Sequence, residues 1–180
     1  MPSALTLRST VTDVIADHAS AFPDRPAVIF PGDNTDTELN FGPMAARGWA
    51  LAEWLRDELA PGSRVMLALP TGPEFVTAFI GCVTAGMIAV PVPIPDSRKN
   101  ARRRTATVTH DSGTAMVLAA DADLAGVTEW ADACELAVRC STVPDVGMRG
   151  APPSGLPPQD GDSLVFLQYT SGSTGDPKGV

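Results

Sequence analysis

Residues 167–180 have the sequence LQYTSGSTGDPKGV, a short apolar lead-in followed by hydroxyl side chains, glycines and one lysine. Glycines let backbone N–H groups turn toward an anion where a Cβ atom would block the approach. The hydroxyl groups add hydrogen-bond donors, and a lysine ammonium adds a charge that suits phosphate. One charge-assisted contact of this kind contributes about 1.5–3 kcal/mol, so several must act together to hold a nucleotide. The stretch therefore predicts a polyphosphate-binding loop.

Two other phosphate-binding patterns do not fit this loop. A Walker A motif needs a second glycine where Pro177 stands and a serine or threonine after Lys178, and the sequence has neither. The dinucleotide fingerprint G-x-G-x-x-G is also missing. By composition alone, a loop rich in Gly, Ser and Thr is typical of an ordinary flexible connection, so the interpretation depends on the order of the residues.

The ordered string from Tyr169 to Val180 closely resembles the phosphate-binding signature of the adenylate-forming superfamily. That superfamily includes acyl-CoA synthetases, nonribosomal peptide adenylation domains, luciferases and fatty acyl-AMP ligases. Residues 72–93 resemble its early helix-and-strand block, and residues 37–41 and 61–65 fall in the expected order. Residues 166–174, and residues 90–95 followed by an arginine-rich segment, are most similar to fatty acyl-AMP ligases. The resemblance covers nearly the whole chain.

The resemblance implies a two-step reaction in which ATP and a carboxylate give an acyl-adenylate and pyrophosphate, and the acyl group then passes to a thiol. ATP and Mg²⁺ are the implied cofactors, and a fatty acid is the implied substrate. The implied phosphate-binding residues are Thr170, Ser171, Gly172, Ser173, Thr174, Gly175 and Lys178. The first six would wrap the β- and γ-phosphates, and Lys178 would steady the loop or the leaving pyrophosphate.

In the superfamily, the adenine-, ribose- and Mg²⁺-binding motifs and the catalytic lysine all follow this loop. We therefore expect residues 1–180 to be the amino-terminal part of the large AMP-binding domain. The rest of that domain and the small carboxy-terminal domain would be absent. This chain would then hold no catalytic residue and would not adenylate on its own. The implied acceptor is an acyl carrier protein thiol. The alternatives are an acyl-CoA synthetase, an amino-acid adenylation domain, or a binding module without chemistry.

Hydrophobic periodicity predicts an α/β fold with βαβ units and a mostly parallel sheet flanked by helices. Residues 64–69, 74–85 and 87–92 form a strand, helix and strand, which predicts parallel strands with a right-handed crossover. The other predicted helices span residues 9–21, about 43–59, about 98–111 and 121–134. The other predicted strands span residues 27–30, 37–41, 114–119, 136–140 and 163–169. Residues 143–162, rich in proline and glycine, are predicted to form a long loop that leads into the strand and phosphate loop of residues 163–180.

The composition of the chain disfavours several classes of binding partner. The formal net charge of −8 opposes binding to nucleic acid and to anionic membranes. Three cysteines and two histidines match no metal or redox motif, and Cys82 lies in an apolar run that predicts a buried thiol. Residues 75–92 are long enough to span a bilayer but contain Gly81, Gly86 and Pro91, which favours two buried elements. With no secretory signal, we expect a cytoplasmic protein.

One basic cluster, residues 98–104, interrupts the acidic composition with four arginines and one lysine. On a helix it is most simply a solvated face. Nucleic-acid binding is disfavoured by the charge of the whole chain. An acidic carrier protein remains a second hypothesis for its partner.

Overall fold

The computed structural model describes residues 10–33, 35–95, 99–171 and 177–180. In chain order the elements are α1 (Val11–Ala21), β1 (Pro26–Phe30), β2 (Thr37–Asn40), α2 (Phe41–Glu58), β3 (Arg64–Ala68), α3 (Pro73–Thr84), β4 (Ile88–Pro91), α4 (Lys99–Ser112), β5 (Thr114–Ala119), α5 (Leu124–Ala133), β6 (Arg139–Thr142), β7 (Tyr169–Ser171) and β8 (Pro177–Gly179). None of the described helices is long and apolar enough to cross a membrane.

The central sheet has the strand order β4-β3-β5-β6, and every neighbouring pair in it is parallel. Val65 on β3 pairs with Ala89 on one side and with Met116 on the other. The middle strands are buried almost throughout, as expected for strands covered on both faces. The predicted βαβ unit and parallel sheet are confirmed.

Alternate residues of β3 supply the two cores. Val65 and Leu67 pack with Leu51 of α2 and Cys82 of α3 on one face of the sheet. On the other face, Met66 and Ala68 pack in a second cluster formed with α4 and α5, and this cluster contains the fully buried Trp130. Because successive side chains of a strand point to opposite faces, a single run of apolar residues supports both helical layers.

The amino-terminal part packs outside these layers. Thr10 caps α1 in a capping box with Asp13, and the two predicted strands β1 and β2 pair as an antiparallel hairpin. Helical spacing places Val11, Val14, Ile15 and His18 on one face of this helix, and that face is buried only in part. Val11 and Val14 are 52% and 41% exposed, whereas Ala19 is buried and packs near α2.

Helix α2 and helix α3 approach closely where glycines replace side chains. A Cβ atom added to Gly81 would lie 2.8 Å from Leu51 Cδ2, and one added to Gly48 would lie 2.5 Å from Ile80 Cγ2. The helices can therefore pack at this distance only because both positions lack a side chain.

Two predicted boundaries differ from the structure. The strand predicted at residues 136–140 lies at Arg139–Thr142, because Glu135 has a positive φ of 53° and the Leu136 amide still bonds the Ala131 carbonyl. The strand predicted at residues 163–169 is reduced to a parallel bridge at Phe166, and β7 begins at Tyr169.

Residues 143–162 form no helix or strand, but hydrogen bonds to α2 and α3 hold them in place. Arg56 donates to the carbonyls of Ser154 and Gly155, each at 2.8 Å. Gln159 donates to the Val83 carbonyl at 2.6 Å. The segment therefore runs back over α2 and α3 before it reaches the sheet.

Candidate functional site

The candidate site is built on a two-stranded antiparallel ribbon formed by β7 and β8. Tyr169 pairs with Gly179, Thr170 with Lys178, and Ser171 with Pro177. The pairing continues one step further, because the amides of Gln168 and Val180 each donate to the other residue's carbonyl, at 3.0 and 2.9 Å. The two strands bracket residues 172–176, so both ends of that loop are fixed.

The residues that lead into the ribbon pair with β4, the edge strand of the central sheet. The Ala89 amide donates to the Val165 carbonyl at 3.0 Å, and the Leu167 amide donates to the Ala89 carbonyl at 2.8 Å. This bridge is parallel to β4, so the ribbon leaves the sheet at the carboxyl end of β4. In open α/β sheets, ligands bind outside the carboxyl ends of the strands.

Apolar contacts support the lead-in to the ribbon. The rings of Phe166 and Phe79 lie edge to face with centroids 5.9 Å apart. Leu167 packs against the core cluster that contains Val90 and Trp130. The segment before the loop is therefore anchored by both backbone and side-chain contacts.

Tyr169 connects the ribbon to helix α4. Its phenol donates a hydrogen bond of 2.6 Å to Asp111 Oδ2. Burial, followed by this hydrogen bond and the charge of Asp111, raises the pKa of Tyr169 to about 12. At neutral pH the phenol therefore keeps its proton and acts as a donor.

A cavity of about 880 Å³ lies between the base of the ribbon, the residues that follow β4, and α4. Val92, Ile94 and Val108 supply apolar walls, and Asn100 and Arg104 supply polar groups. Its volume lies within the range of ordinary small-molecule sites. The cavity places one cationic side chain beside the ribbon.

A second cavity, of about 320 Å³, lies where α3 begins, and Glu74, Arg47 and Asp145 contribute to its lining. Burial raises the pKa of Glu74, and the negative charges of Asp121 and Asp123 raise it further.

Among the described residues, no group of three His, Cys, Asp or Glu side chains could hold a metal ion. Cys82 is fully buried, and burial raises the pKa of its thiol to about 12, so it is not a nucleophile at neutral pH.

The structure locates the ends of the predicted phosphate-binding motif. Thr170 is exposed on β7, directly opposite Lys178 on β8, and Ser171 ends β7. The predicted Gly172, Ser173, Thr174 and Gly175 lie outside the described residues. Asp111 was not identified from the sequence, because it lies 58 positions from Tyr169 and no local pattern joins them.

The family model and the relatives that match this chain all describe adenylate-forming enzymes or ligases. Residues 15–180 match the family model described as AMP-binding enzyme. The chain is 32% identical to the 4-hydroxyphenylalkanoate adenylyltransferase of Mycobacterium marinum, over 96% of this chain and 29% of the relative. It is 28% identical to JamA of Moorena producens, a medium-chain-fatty-acid–[acyl-carrier-protein] ligase, over 96% of this chain and 30% of the relative.

Solved structures share the fold. The chain superposes with a TM-score of 0.75 and 27% identity on the fatty acyl-adenylate ligase of Legionella pneumophila, a crystal structure in complex with acyl adenylate and pyrophosphate. The match covers 94% of this chain and 29% of that protein. The chain therefore spans under a third of the length of these three relatives.

Proposed function

The chain belongs to the AMP-binding enzyme family, and on that premise we propose that it is the amino-terminal part of an ATP-dependent ligase that activates a fatty acid as acyl-AMP. The observation that carries the proposal is the ribbon of β7 and β8. Its strands flank the Gly-, Ser- and Thr-rich residues 172–176 in the sequence, and its lead-in pairs with β4. The fatty-acid specificity is supported by the names of the relatives, and the alternatives are an acyl-CoA synthetase and an amino-acid adenylation domain.

In the proposed reaction a carboxylate oxygen bonds to the α-phosphorus of ATP, the bond from that phosphorus to the bridging oxygen breaks, and pyrophosphate leaves. Catalysis of such a transfer consists mainly of positioning and charge neutralisation. We assign the binding of the β- and γ-phosphates to the backbone and hydroxyl groups of residues 170–175 and to Lys178.

Neutralising phosphate charge is the chemistry that Mg²⁺ supplies when it is bound. The described residues of this chain contain no group of three His, Cys, Asp or Glu side chains that could hold a metal ion. We therefore propose that the metal's protein ligands lie in the part of the ligase beyond this chain. We also propose that residues 1–180 do not catalyse adenylation alone.

The role of Lys178 can be tested in the longer protein, because the chain contains one other lysine, Lys99, as a matched control. We expect Lys178→Met to lower kcat/KM for fatty-acid-dependent ATP–pyrophosphate exchange by about 10–100-fold, the effect of losing one charge-assisted phosphate contact. Lys99→Met should leave exchange within about twofold of wild type. Equal activity of the two variants would contradict the assignment.

For the second step, we propose that the acyl group passes to a carrier-protein thiol. The printed activity of JamA supports this acceptor, as does the similarity of residues 166–174 to fatty acyl-AMP ligases. The acceptor is tested by adding either CoA or a phosphopantetheinylated carrier protein to the preformed acyl-adenylate. Acyl-carrier formation without acyl-CoA supports the proposal, and rapid acyl-CoA formation would overturn it in favour of a synthetase.

A further inference from the structure

The ribbon that carries the loop is attached to the rest of the molecule along one side. Its lead-in is held by the bridge at Ala89, and the bridge ends at Leu167, two residues before β7. Beyond that point, the ring of Tyr169 packs against the second core cluster, and its phenol donates to Asp111 Oδ2. This hydrogen bond joins the ribbon to α4.

The Tyr169 side chain extends from β7 and packs closely against Gly179 of β8. Tyr169 pairs with Gly179, and a Cβ atom added at Gly179 would lie 3.0 Å from Tyr169 Cζ. The ring therefore covers Gly179 closely while its hydroxyl reaches α4. The next register pair is Thr170 with Lys178, both of which belong to the proposed phosphate-binding set.

Asp111, which accepts the hydrogen bond from Tyr169, lies at an end of α4 that is well anchored. Asp111 precedes the last residue of α4, Ser112, whose carbonyl accepts from Arg64 Nε of β3 at 2.6 Å. Arg64 Nη2 also donates to the Gly113 carbonyl at 3.0 Å, and the Ser112 hydroxyl lies 2.7 Å from that of Thr114 on β5. The carboxyl end of α4 is thus fixed to the two central strands.

We propose that Asp111 is a positioning residue for the phosphate loop, because its carboxylate accepts the Tyr169 phenol and holds the β7–β8 ribbon against α4. The inference rests on the proposed function, in which that loop binds the β- and γ-phosphates. Asp111 does not touch the nucleotide in this account and acts only through Tyr169. Its removal should weaken ATP binding and leave the binding of the acid unchanged.

The kinetic test uses the longer protein with Asp111→Ala, Tyr169→Phe and the double variant. We expect each single variant to raise KM for ATP in pyrophosphate exchange by about 3–10-fold, with KM for the fatty acid unchanged. The double variant should be no worse than the poorer single variant, because both remove one interaction. Asp111→Asn keeps an acceptor oxygen and should restore most of the affinity for ATP.

The control is Asp57→Ala, an exposed helical aspartate of α2 with no hydrogen bond among the described residues. It should leave both KM values unchanged. Single variants with wild-type KM for ATP, or a double variant whose loss is the product of the two single losses, would overturn the inference.

A second readout does not depend on activity. The amides of Gln168 and Val180 close the ribbon, so their hydrogen exchange reports its opening. Tyr169→Phe and Asp111→Ala should each speed their exchange by at least about fivefold, and Asp57→Ala should not. Unchanged exchange would overturn the inference even in an active enzyme. Faster exchange in a protein without adenylation activity would instead uphold the tether and refute the proposed function.

Discussion

Tyr169 is the single tyrosine of the chain, and its environment favours the neutral phenol. Partial burial and the carboxylate of Asp111 both raise its pKa, from an ordinary value of 10.0 to about 12. The folded chain therefore holds the phenolic proton more tightly than the unfolded chain does. By linkage, this group's stabilising contribution is fully present below pH 10 and is lost as the pH rises toward 12.

We predict that replacing Asp111 with Asn lowers the pKa of Tyr169, because the substitution removes the negative charge beside the phenol. The loss of stability between pH 10 and 12 should become smaller in the variant. Ultraviolet absorbance of tyrosinate in the 180-residue chain measures this directly, since no other tyrosine contributes. Circular dichroism recorded in parallel shows that the fold persists over the titration. Superimposable titrations of wild type and variant would contradict the contact.

Local sequence patterns predicted individual residues well where burial determines the outcome. The buried thiol of Cys82 is confirmed, and His18 lies on a helix face with its ring centroid 4.9 Å from that of Phe41. The partnership of Tyr169 with Asp111 was not predictable, because it depends on how α4 packs beside a distant ribbon. The phosphate-binding roles of residues 170–175 and of Lys178 stay predictions.

At the scale of elements, the packing of α2 on α3 depends on the absence of side chains at Gly48 and Gly81. Gly81 faces Leu51, whose Cβ, Cγ and Cδ2 atoms all lie within 3.0 Å of the position a Cβ atom would take. Since three atoms of one side chain crowd the site, a rotamer change alone does not relieve the clash. The helices would have to move apart.

We predict that Gly81→Ala lowers the free energy of unfolding by about 1–3 kcal/mol, the usual cost of overpacking a core. Gly126→Ala on α5 is the matched control, because nothing lies within 4 Å of its added Cβ atom. There, better helix propensity should raise stability by up to about 1 kcal/mol. Urea unfolding of the two variants provides the comparison, and stabilisation by Gly81→Ala would show that the helix contact is looser than described.

Helices and strands with strong periodicity were predicted to within a few residues, and β5 was predicted at its observed bounds. The errors fall where tertiary contacts override local preference. Residues 136–138 look like a strand, yet Leu136 and Val138 pack against the core while Leu136 completes the end of α5. In α1 the apolar Val11 and Val14 stay exposed because α2 is packed by the neighbouring stripe that contains Ala19.

At the scale of the whole molecule, the four strands of the central sheet run parallel, so their carboxyl ends lie at the same edge of the sheet. Helices separate the successive strands of the order β4-β3-β5-β6, which is why the α/β class was predictable from strand–helix–strand spacing. The return of residues 143–162 over α2 and α3 was not predictable, because it depends on the contacts of Arg56 and Gln159 with backbone carbonyls. That path brings Phe166 to β4.

The most direct test of the central claim is to identify the product formed when the longer protein is incubated with a fatty acid and ATP labelled at the α-phosphate. Our account predicts labelled acyl-AMP and one equivalent of unlabelled pyrophosphate, both dependent on the acid. Release of labelled ADP with phosphate, or no conversion with any carboxylic acid, would contradict the proposal that this chain carries the phosphate loop of an acyl-adenylating ligase.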